Sequence, residues 1–163
     1  VTWYIGVIGG AECSPEEWQL AEEVGEEIAK RGAILICGGR GGVMEAASRG
    51  ARRAGGLVVG ILPGRHRKEG NPYLTVALPT GLGDARNAVI ACSADALIAV
   101  GGGYGTLSEI GLALKMGKPV VGLATWRVER RGIAGDIKTA AGAREAVELA
   151  LRLACQYLKG EDL

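Results

Sequence analysis

Residues 95–124 read DALIAVGGGYGTLSEIGLALKMGKPVVGLA. ALIAV at 96–100 is a short, wholly apolar run, the pattern of a strand covered on both faces. TLSEIGLALKMG at 106–117 repeats its apolar residues at helical spacing and stops at Gly117. KPVVGLA at 118–124 is apolar again. A strand, a helix and a second strand in that order form a right-handed crossover onto a parallel sheet. The rest of the fold follows by extending this unit in both directions.

Upstream, WYIGVIGG at 3–10, AILICGG at 33–39 and LVVGILPG at 57–64 are further strands, and YLTVALPTG at 73–81 is a shorter extended piece. Between them lie two helices. The first starts at SPEE, where Ser14 caps, Pro15 fits the first turn and Glu17 completes a capping box. The second is GVMEAASRGARRAG at 42–55. DARNAVIACSA at 84–94 is a third helix, capped by Asp84 or Gly83. Downstream, KPVVGLA is expected to be the last strand. An irregular basic segment follows it, and AREAVELALRLACQYL at 143–158 forms a closing helix. The expected fold is a single Rossmann-like three-layer α/β/α sandwich with a mostly parallel sheet, spanning 1–163.

Composition narrows the function. A net charge of +1 argues against a dedicated nucleic-acid surface. The chain contains no apolar run of about 18 residues and so no membrane span. It runs straight into a strand without a basic-then-apolar leader, which reads as cytoplasmic. Cys13, Cys37, Cys92 and Cys155 form no CxxC and His66 is the single histidine, so no metal site is expected and the thiols read as reduced and mostly buried.

In a parallel sheet all strand C-termini share one edge, and ligands bind there where strand order reverses. GGAECS, CGGRGGVM, LPGRHRKEGNP and VGGGYGT all fall on that edge. The helix beginning near Tyr104 aims unpaired N–H groups and its positive dipole end at it, which favours an anion, most simply a phosphate. The Walker pattern GxxxxGK[ST] is absent. So are a GxGxxG after the first strand and an acidic residue at the end of the second, so neither a P-loop nor an ordinary dinucleotide site is indicated. Glu109 lies about one turn into the helix, among apolar neighbours. Arg86 opens the preceding helix, at the wrong end for the dipole, and needs an anion or carboxylate to explain it.

GGGYGTLSE with the upstream ARN, and GGRGGVMEAASRGA earlier, resemble the LOG-type, lysine-decarboxylase-like family and its pattern PGGxGTxxE. The Glu corresponds to Glu109 and the family's upstream Arg to Arg86, a gap of 109 − 86 = 23. The resemblance implies a Rossmann-like homodimer or higher homo-oligomer that cleaves the N-glycosidic bond of nucleoside 5′-monophosphates and requires no cofactor. In that chemistry Glu109 would hold the ribose and stabilise developing positive charge, and Arg86 would fix Glu109 or pair with phosphate. Gly102, Gly103, Gly105 and Thr106 would cradle the phosphate. Gly38, Gly39, Gly41, Met44 and Asn87 would complete the site.

Three positions depart from the pattern. Gly101 replaces the family's Pro, Ser108 a second Glu, and Asn87 a more usual Lys. These variants are similar to a branch containing molybdenum-cofactor carrier proteins, which bind their ligand without processing it. The alternative is therefore a non-catalytic carrier of molybdenum cofactor or another small phosphorylated ligand. The basic loops 64–70 and 125–132 are expected to close over such an anion. Two apolar stripes on the closing helix, 147/151/154/158 and 149/153/157, suggest packing on the sheet and on a neighbouring subunit.

Overall fold

The architecture is that of a computed structural model describing residues 1–161. In chain order it comprises β1 (Tyr4–Gly9), α1 (Pro15–Lys30), β2 (Ile34–Cys37), α2 (Val43–Arg53), β3 (Val58–Leu62), β4 (Val76–Pro79), α3 (Arg86–Ser93), β5 (Ala96–Val100), α4 (Tyr104–Lys115), β6 (Val120–Leu123), β7 (Glu129–Arg130), β8 (Ile133–Ala134), β9 (Ile137–Thr139) and α5 (Ala143–Glu161). Seven strands form one sheet in the order β4-β3-β2-β1-β5-β6-β9. Every neighbouring pair in it is parallel.

Strand alternation divides the core. Ile5, Val7, Leu35, Ile98 and Val121 face α1, α2 and α5, whereas Ile8, Ile36, Leu97 and Val120 face α3 and α4. The result is the expected three-layer sandwich. α1 begins as its sequence dictates: the Glu17 N–H donates to Ser14 Oγ at 3.1 Å, and the Ser14 N–H to Glu17 Oε1 at 3.3 Å. α1 and α2 then touch backbone to backbone. A Cβ on Gly25 would collide with the Ala47 carbonyl, and one on Gly50 with the Glu22 carbonyl. Gly25→Ala must push the helices apart and is expected to cost about 1–3 kcal/mol. A drop in the melting midpoint of at least about 2 °C would be read by calorimetry.

Four expectations need correction. The strand at 118–124 is not the last. β9 adds to the sheet edge beyond β6, and β7 and β8 form a small antiparallel hairpin before it. Asp84 caps nothing, because the chain enters α3 through a 3₁₀ turn at Gly83–Ala85 with no side-chain cap. Of the thiols only Cys37 is buried, and Cys92 is exposed. Both α5 stripes contact this chain's own core. Leu149, Leu151 and Leu153 pack against the α1/α2/α5 core, and the Tyr157 hydroxyl donates to the Met116 carbonyl at 3.3 Å. No described helix is long and apolar enough to cross a membrane.

Candidate functional site

Strand order reverses between β1 and β5, and the chain opens there into a cleft of about 310 Å³. Gly9, Gly10 and Ala11 from the end of β1 line it, as do Gly38 and Met44 from the β2–α2 connection. Asp84, Arg86 and Asn87 enter from the start of α3, and Gly103, Gly105, Thr106 and Glu109 from the first turns of α4. Eight sequence-derived site residues are thereby brought together. Gly39, Gly41 and Gly102 do not line the cleft. Gly39 packs near Leu62 and Gly60, Gly41 near the Ala11 carbonyl, and Gly102 against Thr106. Gly9, Gly10, Ala11 and Asp84 were missed as site residues, although the Gly-rich end of β1 signalled the first three.

Glu109 is 8% exposed, and among the described residues its carboxyl has no hydrogen bond or ion pair. Burial pushes its pKa up to about 7, against a smaller pull downward from Arg86. Arg86 does not reach it directly. Its Nη1 donates to the Gly38 carbonyl at 2.6 Å and the Ile61 carbonyl at 2.8 Å, tying together the ends of β2 and β3. A Cβ on Gly38 would collide with that guanidinium. Arg86 Nε is buried without a hydrogen-bond partner among the described residues, and burial lowers the Arg86 pKa while the Glu109 charge opposes the shift. The position at the wrong end of α3 thus has its explanation in two backbone carbonyls and a nearby buried carboxyl.

The departures from the LOG-type pattern have physical causes. Gly101 has φ +53°, which proline cannot adopt, and a Cβ there would collide with the Glu17 carboxylate. Asn87 and Ser108 are partners: Asn87 Nδ2 donates to Ser108 Oγ at 3.5 Å, and Ser108 Oγ to the Gly105 carbonyl at 2.7 Å. A neutral pair therefore occupies the positions of the pattern's Lys and Glu.

Residues 125 and 126, expected in a basic lid, act instead on the glycine loop. Thr125 Oγ1 donates to the Gly101 carbonyl at 2.6 Å and Trp126 Nε1 to the Gly103 carbonyl at 2.9 Å. The Trp126 ring stacks on Tyr104 at 5.7 Å between centroids. Trp126→Phe keeps the stack and removes the side-chain donor to the Gly103 carbonyl, leaving it the Leu107 N–H at 3.0 Å, an expected loss of about 1 kcal/mol measurable by urea denaturation. No side chain of 64–70 or 125–132 lines the cleft. Arg127 lines a separate hollow of about 420 Å³ beside the β7–β8 hairpin, and no carboxylate lines that hollow. Among the described residues no group of His, Cys, Asp and Glu is placed to hold a metal ion.

Residues 2–150 match the family model described as LDcluster4, SLOG cluster4 family. The chain belongs to the SLOG cluster4 family. This SLOG cluster4 chain is 55% identical over 119 residues to an uncharacterized protein of Archaeoglobus fulgidus, covering 73% of this chain and 78% of that one. It is 36% identical over 112 residues to the cytokinin riboside 5′-monophosphate phosphoribohydrolase of Mycobacterium marinum, and 35% over 111 residues to the LOG enzyme of that name from Oryza sativa. Those matches cover 66% of this chain but only 60% and 45% of the two enzymes.

Solved structures align over more of their length. The molybdenum cofactor binding protein of Rippkaea orientalis superposes with a TM-score of 0.84 at 36% identity, over 93% of this chain and 97% of that one. The Moco carrier protein of Chlamydomonas reinhardtii gives 0.83 at 35%, over 96% and 99%. The SLOG cluster4 fold of this chain is thus Rossmann-like and shared with these molybdenum cofactor proteins.

Proposed function

We propose that this protein binds a nucleoside 5′-monophosphate in the β1/β5 cleft and hydrolyses its N-glycosidic bond, releasing base and ribose 5-phosphate without a cofactor. The observation that carries this reading is Glu109, a carboxyl buried in the cleft wall with no hydrogen bond or ion pair among the described residues, its pKa pushed by burial up to about 7. A carboxylate there accepts hydrogen bonds from the ribose hydroxyls and stabilises the positive charge that grows on the sugar as the bond to the base breaks. Its pKa lets it orient or deprotonate the attacking water at neutral pH. Arg86 keeps its charge and supports the ionised form of Glu109. The phosphate sits at the N-terminus of α4, where the amides of Gly103 and Gly105 and the Thr106 hydroxyl are available. The mycobacterial and rice relatives support the same chemistry. Free base released from AMP, N6-substituted AMP and GMP, assayed by chromatography, tests the proposal. Measurable binding of every nucleotide with no base release would reject hydrolysis.

The second reading, a carrier of molybdenum cofactor or another phosphorylated ligand, is favoured by the neutral Asn87–Ser108 pair. It needs the same phosphate cradle but no turnover. Near-full-length superposition on the carrier proteins supports it. Self-association as a homodimer or larger homo-oligomer is also part of the proposal. Leu57, Val76, Leu78 and Leu82 are exposed on or near the β4 edge, which supports it. Light scattering on the eluting protein measures the state.

A further inference from the structure

The cleft holds a second carboxylate that the reading above leaves without a task. Asp84 lines the cleft and is exposed, whereas Glu109 is buried in it. Among the described residues no hydrogen bond or ion pair engages the Asp84 carboxylate, and it caps no helix. Its backbone is nevertheless fixed. The Gly81 N–H donates to the Gly64 carbonyl at 2.8 Å and the Gly83 N–H to the Pro63 carbonyl at 2.9 Å. The Thr80 hydroxyl donates to the Leu62 carbonyl at 2.7 Å. Gly83, at φ +58°, makes the reversal that presents the next residue, Asp84. A carboxylate that feels the Arg86 charge but has no hydrogen-bond or ion-pair partner among the described residues thus stands on a backbone held to the end of β3.

An ionised carboxylate only accepts hydrogen bonds, and it repels a phosphate. The phosphate has its place at the α4 N-terminus, and the sugar its partner in Glu109. The part of the ligand left for Asp84 is the base. Two carboxylate oxygens side by side match two adjacent N–H donors. The 2-amino-6-oxo edge of guanine and the 2-amino-4-oxo edge of pterin each offer such a pair, a ring N–H beside an amino group. Adenine offers an amino group flanked by ring acceptors, which a carboxylate repels. We infer that Asp84 is a specificity determinant selecting a phosphorylated ligand with a guanine- or pterin-type edge, a ring N–H beside an amino group, over one with an adenine edge. The inference rests on the proposed occupation of the cleft by a phosphorylated ligand.

The test is calorimetric titration of GMP, IMP, AMP and 6-hydroxymethylpterin phosphate into the wild type and Asp84→Asn. Wild type is expected to bind GMP about tenfold more tightly than IMP, which lacks the amino group, and tighter still than AMP. Asp84→Asn is expected to lose about tenfold for GMP and the pterin phosphate while AMP is unchanged or improved. Circular dichroism checks that the variant is folded. GMP and pterin phosphate affinities in the wild type separate a nucleotide source of that edge from a pterin source. A GMP-to-AMP ratio that is the same in both proteins, with phosphate-dependent binding intact, overturns the role of Asp84 alone. Failure of all four ligands to bind overturns it together with the proposed function.

Discussion

Glu109→Gln is expected to lower base release by at least about a thousandfold while leaving nucleotide affinity within a few fold, because it removes charge stabilisation that matters most in the transition state. Stability should move the other way. The folded-state pKa of about 7 lies above the ordinary carboxyl value of 4.5, so the native state holds its proton more tightly than the unfolded chain. Wild-type stability therefore falls as pH rises from about 4.5 through about 7 and stays reduced above. The shift of 7 − 4.5 = 2.5 corresponds to about 3 kcal/mol for a group this buried. Glu109→Gln escapes that loss, so above neutral pH it should unfold at a higher urea concentration than wild type, with the gap closing by pH 5. Turnover, where present, should rise with pH through about 7, since the ionised carboxylate is the working form. A pH-independent stability difference between the two proteins would mean that Glu109 is not held in its neutral form by burial.

Thr106→Val carries the next largest effect. Thr106 is 3% exposed, lines the cleft, and its hydroxyl has no protein partner among the described residues. Valine keeps the shape, so the fold should be unharmed or slightly stabilised. A charge-assisted hydrogen bond to phosphate is worth about 1.5–3 kcal/mol, so 5′-monophosphate binding should weaken about ten- to hundredfold. The corresponding nucleoside should bind as before. Calorimetric titration of both ligands reads the difference, and equal losses would place the phosphate away from the α4 N-terminus.

What was legible in the sequence is what local chemistry decides. The Ser14–Glu17 capping box involves residues three apart, and the parallel sheet follows from apolar runs alternating with helical spacing. Glu109 stood out because its neighbours Leu107, Ile110, Leu112 and Ala113 gave a carboxyl no polar surface. What escaped depends on distant partners. The partnership of Arg86 with Gly38 spans 48 residues and that of Trp126 with Gly103 spans 23. The collision that bars a side chain at Gly101 comes from Glu17, on the distant helix α1. β9 is three residues long inside a basic stretch, and nothing but its place beside β6 makes it a strand. Asp84 was read as a cap because helix starts favour Asp; the 3₁₀ turn that displaces it is a property of the chain's path.

The central place of β1 also bears on how the molecule comes into being. β1 precedes its partner β5 by a long stretch of chain: the Tyr4 N–H donates to the Asp95 carboxylate, 91 residues on. Until Ala96–Val100 leaves the ribosome, one edge of β1 has no neighbour and Ile5, Val7 and Ile8 lack half their cover. Closing so long a loop is entropically costly and makes folding slow compared with helical proteins of this size. Until β5 emerges, the nascent chain carries an open, apolar strand edge, the kind of surface on which chaperones act and aggregates start.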